Sequence, residues 1–377
     1  MAADHCDVLI VGGGPAGSSC AWALHESGLD VLVLDRKPFP RDKICAGWIT
    51  PQILTELKID PADYRKERVL QPIRGFRVGR VGDRSITTEH GEVVSYGIRR
   101  CEFDHYLLER CGARLRLGES LGEIEKTLSG WKVNGITARV LIGAGGHFCP
   151  VARHLGALPG QGEAAVVARE IEFEMTAEQQ ATCPASGTIP ELFFAEDLKG
   201  YGWVVRKGSW LNVGFGRQDQ SAFPAHIEAF LEFLQGEGRL PPDMPPRLKG
   251  HAYLLYDSAP RPLAADGVLL IGDAAGLAYP RSGEGIRPAV ESGLLAARAL
   301  TGANGAASPA ARAEYESQMT RRFGARRETP PTGPTDWLPK RWRGPLAGKL
   351  LGTEWFARHF VVDRWFLHRH DPPLPPA

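Results

Sequence analysis

The segment DVLIVGGGPAGSSCAWALHESGLDVLVLD, residues 7–35, carries the clearest structural signal in the chain. A short apolar run at 7–11 is followed by glycines, by a helix-compatible stretch with Pro15 in its first turn, and by a second apolar run at 31–35. Gly28 suits the position just after such a helix. Because both runs are apolar throughout, they are typical of parallel strands covered on both faces. The segment therefore predicts a β-α-β unit.

The glycines of this unit follow the pattern GxGxxG. Gly12 permits a tight turn, Gly14 lets a pyrophosphate approach the backbone, and Gly17 lets the helix pack on the strand. Asp35 ends the second strand, where a carboxylate accepts hydrogen bonds from ribose hydroxyls. The pattern predicts a dinucleotide site, with a purely structural turn as the alternative, and by itself it does not separate FAD from NAD. The predicted contacts are Gly12, Gly14, Pro15, Ala16, Gly17 and Asp35.

The composition is that of a globular protein, with 377 residues of which 43% are apolar and 24% charged. At roughly 150 residues per domain, this length predicts about two to three domains. The 45 basic and 44 acidic residues give no electrostatic reason to expect nucleic-acid binding. Seven scattered cysteines without a CxxC pair predict neither a disulfide framework nor a metal site, and they favour a reducing cytoplasm. No basic leader and no apolar run of about 18 residues is present, so a cytoplasmic location is expected.

A second glycine-rich segment, VLLIGDAAGLAYPRSGEGI at 268–286, resembles the GD motif of FAD enzymes with the para-hydroxybenzoate hydroxylase fold. The resemblance implies FAD as the cofactor and a bond from Asp273 to its ribityl chain. It also implies that Gly283, Gly285 and Ile286 begin a helix under the flavin pyrimidine. Amide N–H groups at a helix start stabilise negative charge that develops there. A glycine-rich crossover without a ligand is the alternative.

Two shorter motifs bear on the same cofactor. RCEFD resembles the segment in which an arginine contacts FAD, which implies that role for Arg100; a surface arginine at a helix start is the alternative. GAGGHFCPVAR resembles a GADG motif, but Gly145 stands where the aspartate is expected and Cys149 where serine is common. This departure weakens the expectation of direct NADPH docking. The electron donor is left open, as either NAD(P)H or a reduced carrier protein.

Within this fold class, residues 5–325 resemble the geranylgeranyl reductase family. FPRDKICAG at 39–47 is similar to the PRxKxCG segment of that family, and GYGWVVRKGSWLNVG at 200–214 is similar to its YxWxFP segment. The resemblance implies that Cys45 faces the flavin and the substrate, and that Tyr201 and Trp203 line a lipid-shaped pocket. Ordinary core packing is the alternative for all three. The cofactor contacts expected around this segment are Arg36, Arg41, Cys45 and Ala46.

The expected architecture is α/β, with an FAD-binding Rossmann-like domain interleaved with a β-rich substrate domain, as in para-hydroxybenzoate hydroxylase, and a C-terminal helical segment. The predicted boundaries are 1–72 with 98–163 and 257–307 for the FAD-binding domain, 73–97 with 164–256 for the substrate domain, and 308–377 for the C-terminal segment. Residues 337–370 combine tryptophans with basic residues. They predict either peripheral contact with a membrane surface or a helix docked on the fold.

Three functions fit these features. The first is an FAD-dependent oxidoreductase that reduces C=C bonds of a polyprenyl or other lipophilic substrate. The second is a flavin-dependent monooxygenase that hydroxylates a phenolic or aromatic lipid, and the third is an FAD-binding assembly or carrier protein. The first is favoured, and it predicts a lipophilic substrate that reaches the flavin along a channel past Cys45, Trp48, Tyr201 and Trp203.

Overall fold

A computed structural model describes residues 4–159, 163–241, 243–326 and 349–375. In these ranges, the largest sheet has eight strands. They are β1 (Asp4–Val11), β2 (Val31–Asp35), β8 (Arg114–Leu117), β9 (Ile124–Thr127), β10 (Gly130–Val133), β11 (Ile136–Gly143), β17 (Ala264–Ala265) and β18 (Val268–Leu270). The order is β17-β18-β11-β1-β2-β8, and the hairpin of β9 and β10 pairs with β11.

The predicted β-α-β unit forms the centre of this sheet. β1 and β2 are parallel, with Val8 opposite Val31, and helix α1 (Pro15–Leu24) connects them. Gly28 has a φ of 76°, the left-handed conformation expected after the helix. β1, β2, β11 and β18 are apolar and buried because helices and loops cover both faces of the sheet.

Close approach of two helices fixes the position of α1. Helix α8 (Ile286–Thr301) crosses it so tightly that a Cβ on Gly293 would lie 2.4 Å from the Ala16 carbonyl oxygen. A Cβ on Gly17 would lie 1.9 Å from the carbonyl oxygen of Gly12, so only glycine fits there. The two glycine-rich segments of the sequence are therefore brought together at one edge of the sheet.

A second sheet, antiparallel apart from one parallel strand pair, stands opposite. In the described residues it contains β5 (Gly75–Arg80), β6 (Ile86–Glu89), β12 (Val166–Glu174), β13 (Glu191–Phe194), β14 (Gly200–Lys207), β15 (Trp210–Arg217) and β16 (Lys249–Tyr253). Their order is β16-β12-β15-β14-β13-β5-β6. One face packs its aromatic residues, such as Phe215, against Phe230 of helix α7 (Phe223–Gly236). The predicted α/β fold with a β-rich second part is confirmed.

A small third sheet was not expected from the sequence. It pairs β3 (Trp48–Ile49) with β7 (Ser95–Ile98), and β7 with β4 (Leu70–Ile73). Residues 73–97, assigned to the substrate domain as one piece, are thus divided between two sheets. Strands this short carry little periodicity from which pairing can be deduced. The predicted domain boundaries stay a prediction.

The remaining helices cover the sheets. They are α2 (Pro51–Glu56), α3 (Pro61–Tyr64), α4 (Arg100–Glu109), α5 (Pro150–His154), α6 (Ala177–Thr182) and α9 (Pro309–Phe323). A short helix, Glu354–Phe356, leads into a π-helix, Ala357–Phe366, whose buried residues pack on the core beside the second sheet. This part of the C-terminal segment is a docked helix. The part of the predicted basic and aromatic span at 337–348 lies outside the described residues. No helix in the described ranges is long and apolar enough to cross a membrane.

Candidate active site

One cavity of about 790 Å³ is lined by residues of both large sheets. This volume is in the range of cofactor and small-molecule sites, roughly 300–1,000 Å³. The sequence-predicted residues that line it are Gly12, Gly14, Pro15, Ala16, Asp35, Arg36, Arg41, Cys45, Ala46, Trp48, Arg100, Tyr201, Trp203, Asp273, Gly283, Gly285 and Ile286. Gly17 is not in the lining, because its role is the close contact with Gly12 described above.

At one end of the cavity, the backbone of Gly14 faces open space. A Cβ added there would meet only Nη2 of Arg41, at 3.4 Å. Gly14 is the N-cap of α1, and the start of a helix offers amide N–H groups and a positive dipole end. Oδ2 of Asp35 accepts a hydrogen bond from the Gly13 amide at 2.8 Å, which fixes the carboxylate beside the glycine turn. This end therefore has the shape and charge that suit a dinucleotide phosphate.

Asp273 lies in the wall with two residues that sequence reasoning missed. Its Oδ2 is 3.7 Å from Nε2 of His251, and that nitrogen is 2.7 Å from Nζ of Lys43. Burial lowers the pKa of His251, so the ring is neutral at pH 7 and accepts the hydrogen bond from the Lys43 ammonium. Burial alone would raise the pKa of Asp273, but the neighbouring His251 and the Lys43 charge hold it at about 2. The carboxylate is therefore ionised at any physiological pH.

Cys45 lies half-buried in the cavity wall next to an arginine pair. Arg100 makes two hydrogen bonds with Asp104, at 2.8 and 2.9 Å, and its guanidinium also contacts the Cys45 thiol. Arg41 lies 3.5 Å from the same Asp104. Helix α4 thus places Arg100 beside both the thiol and the cavity. Whether these residues touch the cofactor stays a prediction.

The second sheet supplies an aromatic wall. The indole nitrogen of Trp203 donates to Oδ1 of Asn212 at 2.7 Å, and its six-membered ring covers Gly214. The Tyr201 hydroxyl donates to the carbonyl oxygen of Ser282, which joins this sheet to the second glycine segment. Phe366 of the π-helix packs on Tyr201, with ring centroids 5.2 Å apart. The polar atoms of Trp203 and Tyr201 are therefore satisfied, and their rings give this part of the cavity an apolar surface.

Glu170 of β12 is the most unusual residue that sequence reasoning missed. Its side chain lines the cavity and is only 4% exposed. Oε1 accepts the Cys45 amide at 2.5 Å, whereas Oε2 has no hydrogen-bond partner among the described residues. Burial raises the pKa of this carboxyl to about 7. The alternation in AREIEFEM places it on the polar face of its strand, but nothing local shows that this face borders a cavity.

Comparison with known proteins bears on the cofactor and the fold. A sequence profile for FAD dependent oxidoreductases matches residues 7–96, which contain the first glycine motif. The menaquinone reductase of Mycobacterium tuberculosis is 29% identical over 327 residues, which cover 79% of this chain and 77% of that protein. The digeranylgeranylglycerophospholipid reductase of Methanocaldococcus jannaschii is 27% identical over 313 residues, 78% of this chain and 76% of that protein.

Comparison with solved structures bears on the fold. A geranylgeranyl bacteriochlorophyll reductase-like protein from Thermoplasma acidophilum superposes with a TM-score of 0.73 at 23% identity, covering 93% of this chain and 88% of that one. This chain is an FAD-dependent oxidoreductase that is similar to reductases of menaquinone and of digeranylgeranylglycerophospholipid.

The cavity of this FAD-dependent reductase fits its cofactor. The space in front of Gly14, which even a small side chain would narrow, is the opening that a pyrophosphate needs. Gly285 caps the start of α8 and lies in the same lining as Gly14, so two helix N-termini face one cavity. The ionised Asp273 in the cavity wall offers a hydrogen-bond acceptor for hydroxyl groups. The amide donors at the two helix starts and the acceptor at Asp273 therefore suit an anionic dinucleotide with a polyhydroxyl chain.

Proposed function

We propose that this reductase saturates C=C bonds of a polyprenyl or other long apolar chain. The observation that carries the proposal is the continuity of the cavity. Its lining runs from the open glycine turn at Gly14 to the aromatic wall of Trp48, Tyr201 and Trp203. One continuous cavity therefore offers both a place for a dinucleotide and an apolar surface against which an unsaturated chain can lie.

The proposed cofactor contacts divide by chemistry. The α1 start with Gly14 and Arg41 holds the phosphates, and Asp273 holds the ribityl hydroxyls. The start of α8 at Gly285 and Ile286 would hold the ring system, where its amides would favour negative charge. When bound and reduced, FAD supplies two electrons as a hydride equivalent. The protein residues orient the chain, exclude water and deliver the proton.

The substrate class is inferred from the aromatic wall of the cavity and from the names of the similar proteins. Trp203 and Trp48 are each 5% exposed and are largely apolar, so the chain that we propose they contact is held by apolar burial and shape. The two relatives described above are named for a menaquinone and for a digeranylgeranyl lipid, both of which are lipophilic. These names support a lipophilic, unsaturated substrate, with Cys45 and Arg100 at the junction of cofactor and chain.

The test uses the purified holoenzyme without oxygen. The flavin is reduced with dithionite, excess reductant is removed, and a digeranylgeranyl phospholipid, which has no quinone ring to reduce, is added in detergent. We expect the flavin to reoxidise and the product to gain two hydrogens per reduced double bond by mass spectrometry. Reoxidation only after oxygen is admitted, with an oxygen atom in the product, would instead establish a monooxygenase. Flavin that no substrate reoxidises would point to a carrier protein.

A further inference from the structure

A carboxyl group with a free oxygen is built into the substrate wall. Glu170 lies on the cavity face of β12, opposite Gly214 of β15. A Cβ on Gly214 would collide with both the Trp203 ring, at 2.3 Å, and the Cβ of Glu170, at 2.7 Å. Glycine at this position therefore lets the indole lie directly beside the glutamate. The carboxyl shares its wall with the aromatic ring proposed to contact the substrate chain.

The Glu170 carboxyl is held in one place by the backbone. Its Oε1 accepts the amide of Cys45, which lies in the segment that also carries Lys43 and Ala46 of the cavity lining. This contact orients the side chain. The other oxygen, Oε2, is buried and has no partner among the described residues. A buried acceptor without a partner costs free energy in the absence of a ligand. Such a group is expected where its partner is a ligand or a transferred proton.

The surroundings of the Glu170 carboxyl leave its protonated and ionised forms close to equally populated at neutral pH. Burial raises its pKa to about 7, while Lys207 of β14 lowers it and Glu172 raises it. Lys207 is paired with Glu172 at 2.5 Å, and Lys249 of β16 with Asp42 at 2.7 Å. The other titratable groups in the lining on the elements around Glu170 are Lys43, Cys45, Arg100, Tyr201, His251 and Tyr253. A carboxyl poised near neutral pH suits general acid catalysis at neutral pH.

We propose that Glu170 donates the proton that completes the saturation of each C=C bond; this inference rests on the proposed function. One alkene carbon gains a hydride equivalent from the reduced cofactor, and the other gains the proton from Oε2. The π bond breaks, two C–H bonds form, and Glu170 is left as a carboxylate. The carboxylate regains its proton from water, and the reductant that recharges the cofactor is a two-electron donor.

Other acidic groups in the cavity are less suited to this step. The Tyr201 hydroxyl already donates to Ser282, and burial raises the pKa of the phenol well above its usual 10. Lys43 donates to His251. Glu284 also has unpartnered oxygens and a raised pKa from burial, but it lies in the glycine turn between Gly283 and Gly285, near His368 and Arg287. It is therefore the rival that the experiment must include.

The experiment compares Glu170→Gln, Glu170→Asp and Glu284→Gln with Glu174→Gln, which makes the same change at an exposed residue of the same strand. The rate of alkene-dependent flavin reoxidation is measured from pH 5 to 9 in the holoenzymes. The wild type should lose activity as pH rises through about 7, because the acid form is required. Glu170→Gln should be slower by about 10²–10⁴-fold and lack this dependence, while its FAD content is unchanged. Glu170→Asp should recover part of the rate and the pH dependence.

A readout without turnover accompanies the kinetics. The infrared difference spectrum between wild type and Glu170→Gln should contain a protonated-carboxyl band that titrates near pH 7. A wild-type rate and pH profile in Glu170→Gln would overturn the inference while the proposed function stands, as would the loss of both in Glu284→Gln alone. A wild-type enzyme that reduces no alkene, even with the titrating band present, would overturn the proposed function, and the proton-donor role would fall with it.

Discussion

At the scale of single residues, the cavity depends on glycines that leave space as much as on the side chains that line it. Gly14 leaves the space in which we propose the phosphates bind, and Gly214 leaves the space that the Trp203 ring occupies. Asp273 and Glu170 line the same cavity but have opposite pKa shifts, because His251 and Lys43 stabilise the charge of the first while burial dominates at the second. The two carboxyls are therefore suited to different tasks, a fixed acceptor and a proton donor.

Gly14→Trp should abolish retention of FAD, because the indole would occupy the opening beside Arg41. Gly91→Trp is the matched control, since Gly91 is exposed and a Cβ there would meet nothing within 4 Å. The measurement is the ratio of flavin to protein absorbance after gel filtration. Stoichiometric flavin in the Gly14 variant would show that the phosphates bind elsewhere.

Asp273→Ala should weaken FAD binding by about ten- to a hundred-fold, because a hydrogen bond to a charged acceptor contributes roughly 1.5–3 kcal/mol. The dissociation constant is measured by flavin fluorescence during titration of the apoprotein. Asp266→Ala, an exposed carboxylate outside the cavity lining, is the control. Equal affinities for both variants would remove Asp273 from the site.

At the scale of elements, the π-helix Ala357–Phe366 completes the aromatic wall. Phe366 is fully buried between Trp48, Phe194 and Tyr201, with ring centroids 5.2 to 6.4 Å apart. Asp363 of the same helix accepts a hydrogen bond from Nε2 of the buried His90, at 2.8 Å, beside strand β6. π-Helices are rare and frequently occur at functional sites. Both side chains are buried, and Phe366 belongs to the core beside the second sheet.

Phe366→Ala should lower the free energy of unfolding by about 3–5 kcal/mol, as expected for a large core ring, and should also weaken substrate binding. Trp355→Ala, at a residue that is 64% exposed, should change neither. Chemical denaturation and the KM for a detergent-solubilised substrate check the two effects. A stability loss with an unchanged KM would mean that the ring supports the fold without forming the substrate wall.

At the scale of the whole molecule, the buried carboxyl of Glu170 connects pH to global stability. Its pKa is about 7 when folded and near 4.5 when unfolded, so the folded state must keep a proton that the unfolded state releases. The resulting cost is absent below pH 4.5, grows between the two values and is complete above pH 7. A difference of this size corresponds to about 3 kcal/mol.

Glu170→Gln should therefore raise the unfolding temperature at pH 8 and leave it nearly unchanged at pH 4. Gln keeps the acceptor for the Cys45 amide, so the comparison isolates the charge. Differential scanning calorimetry of wild type and variant at both pH values is the measurement. The same stabilisation at both pH values would mean that the carboxyl does not titrate in this range.

The sequence predicted the turns, helices and strands that depend only on a local pattern of residues. The turn at Gly12, the helix from Pro15 and the strand ending at Asp35 follow from spacing and apolar runs, and the structure confirms them. Glu170 and His251 were missed because their positions depend on the pairing of β12 with β15 and β16. Glu170 meets Cys45, which is 125 residues away in the chain. No periodicity in one sequence encodes such a contact.

The order of strands in the large sheet has a consequence for biosynthesis. β11 lies between β1 and β18, and five of the seven strands described in the second sheet, β12 to β16, are translated between β11 and β18. A nascent chain therefore exposes the end of β11 that later pairs with β18, and the surface of α1 that α8 later covers, until β18 and α8 have been made. Open strand edges template aggregation, and such non-local pairing is slow. Slower translation or added chaperone should therefore increase the yield of folded protein in a heterologous host.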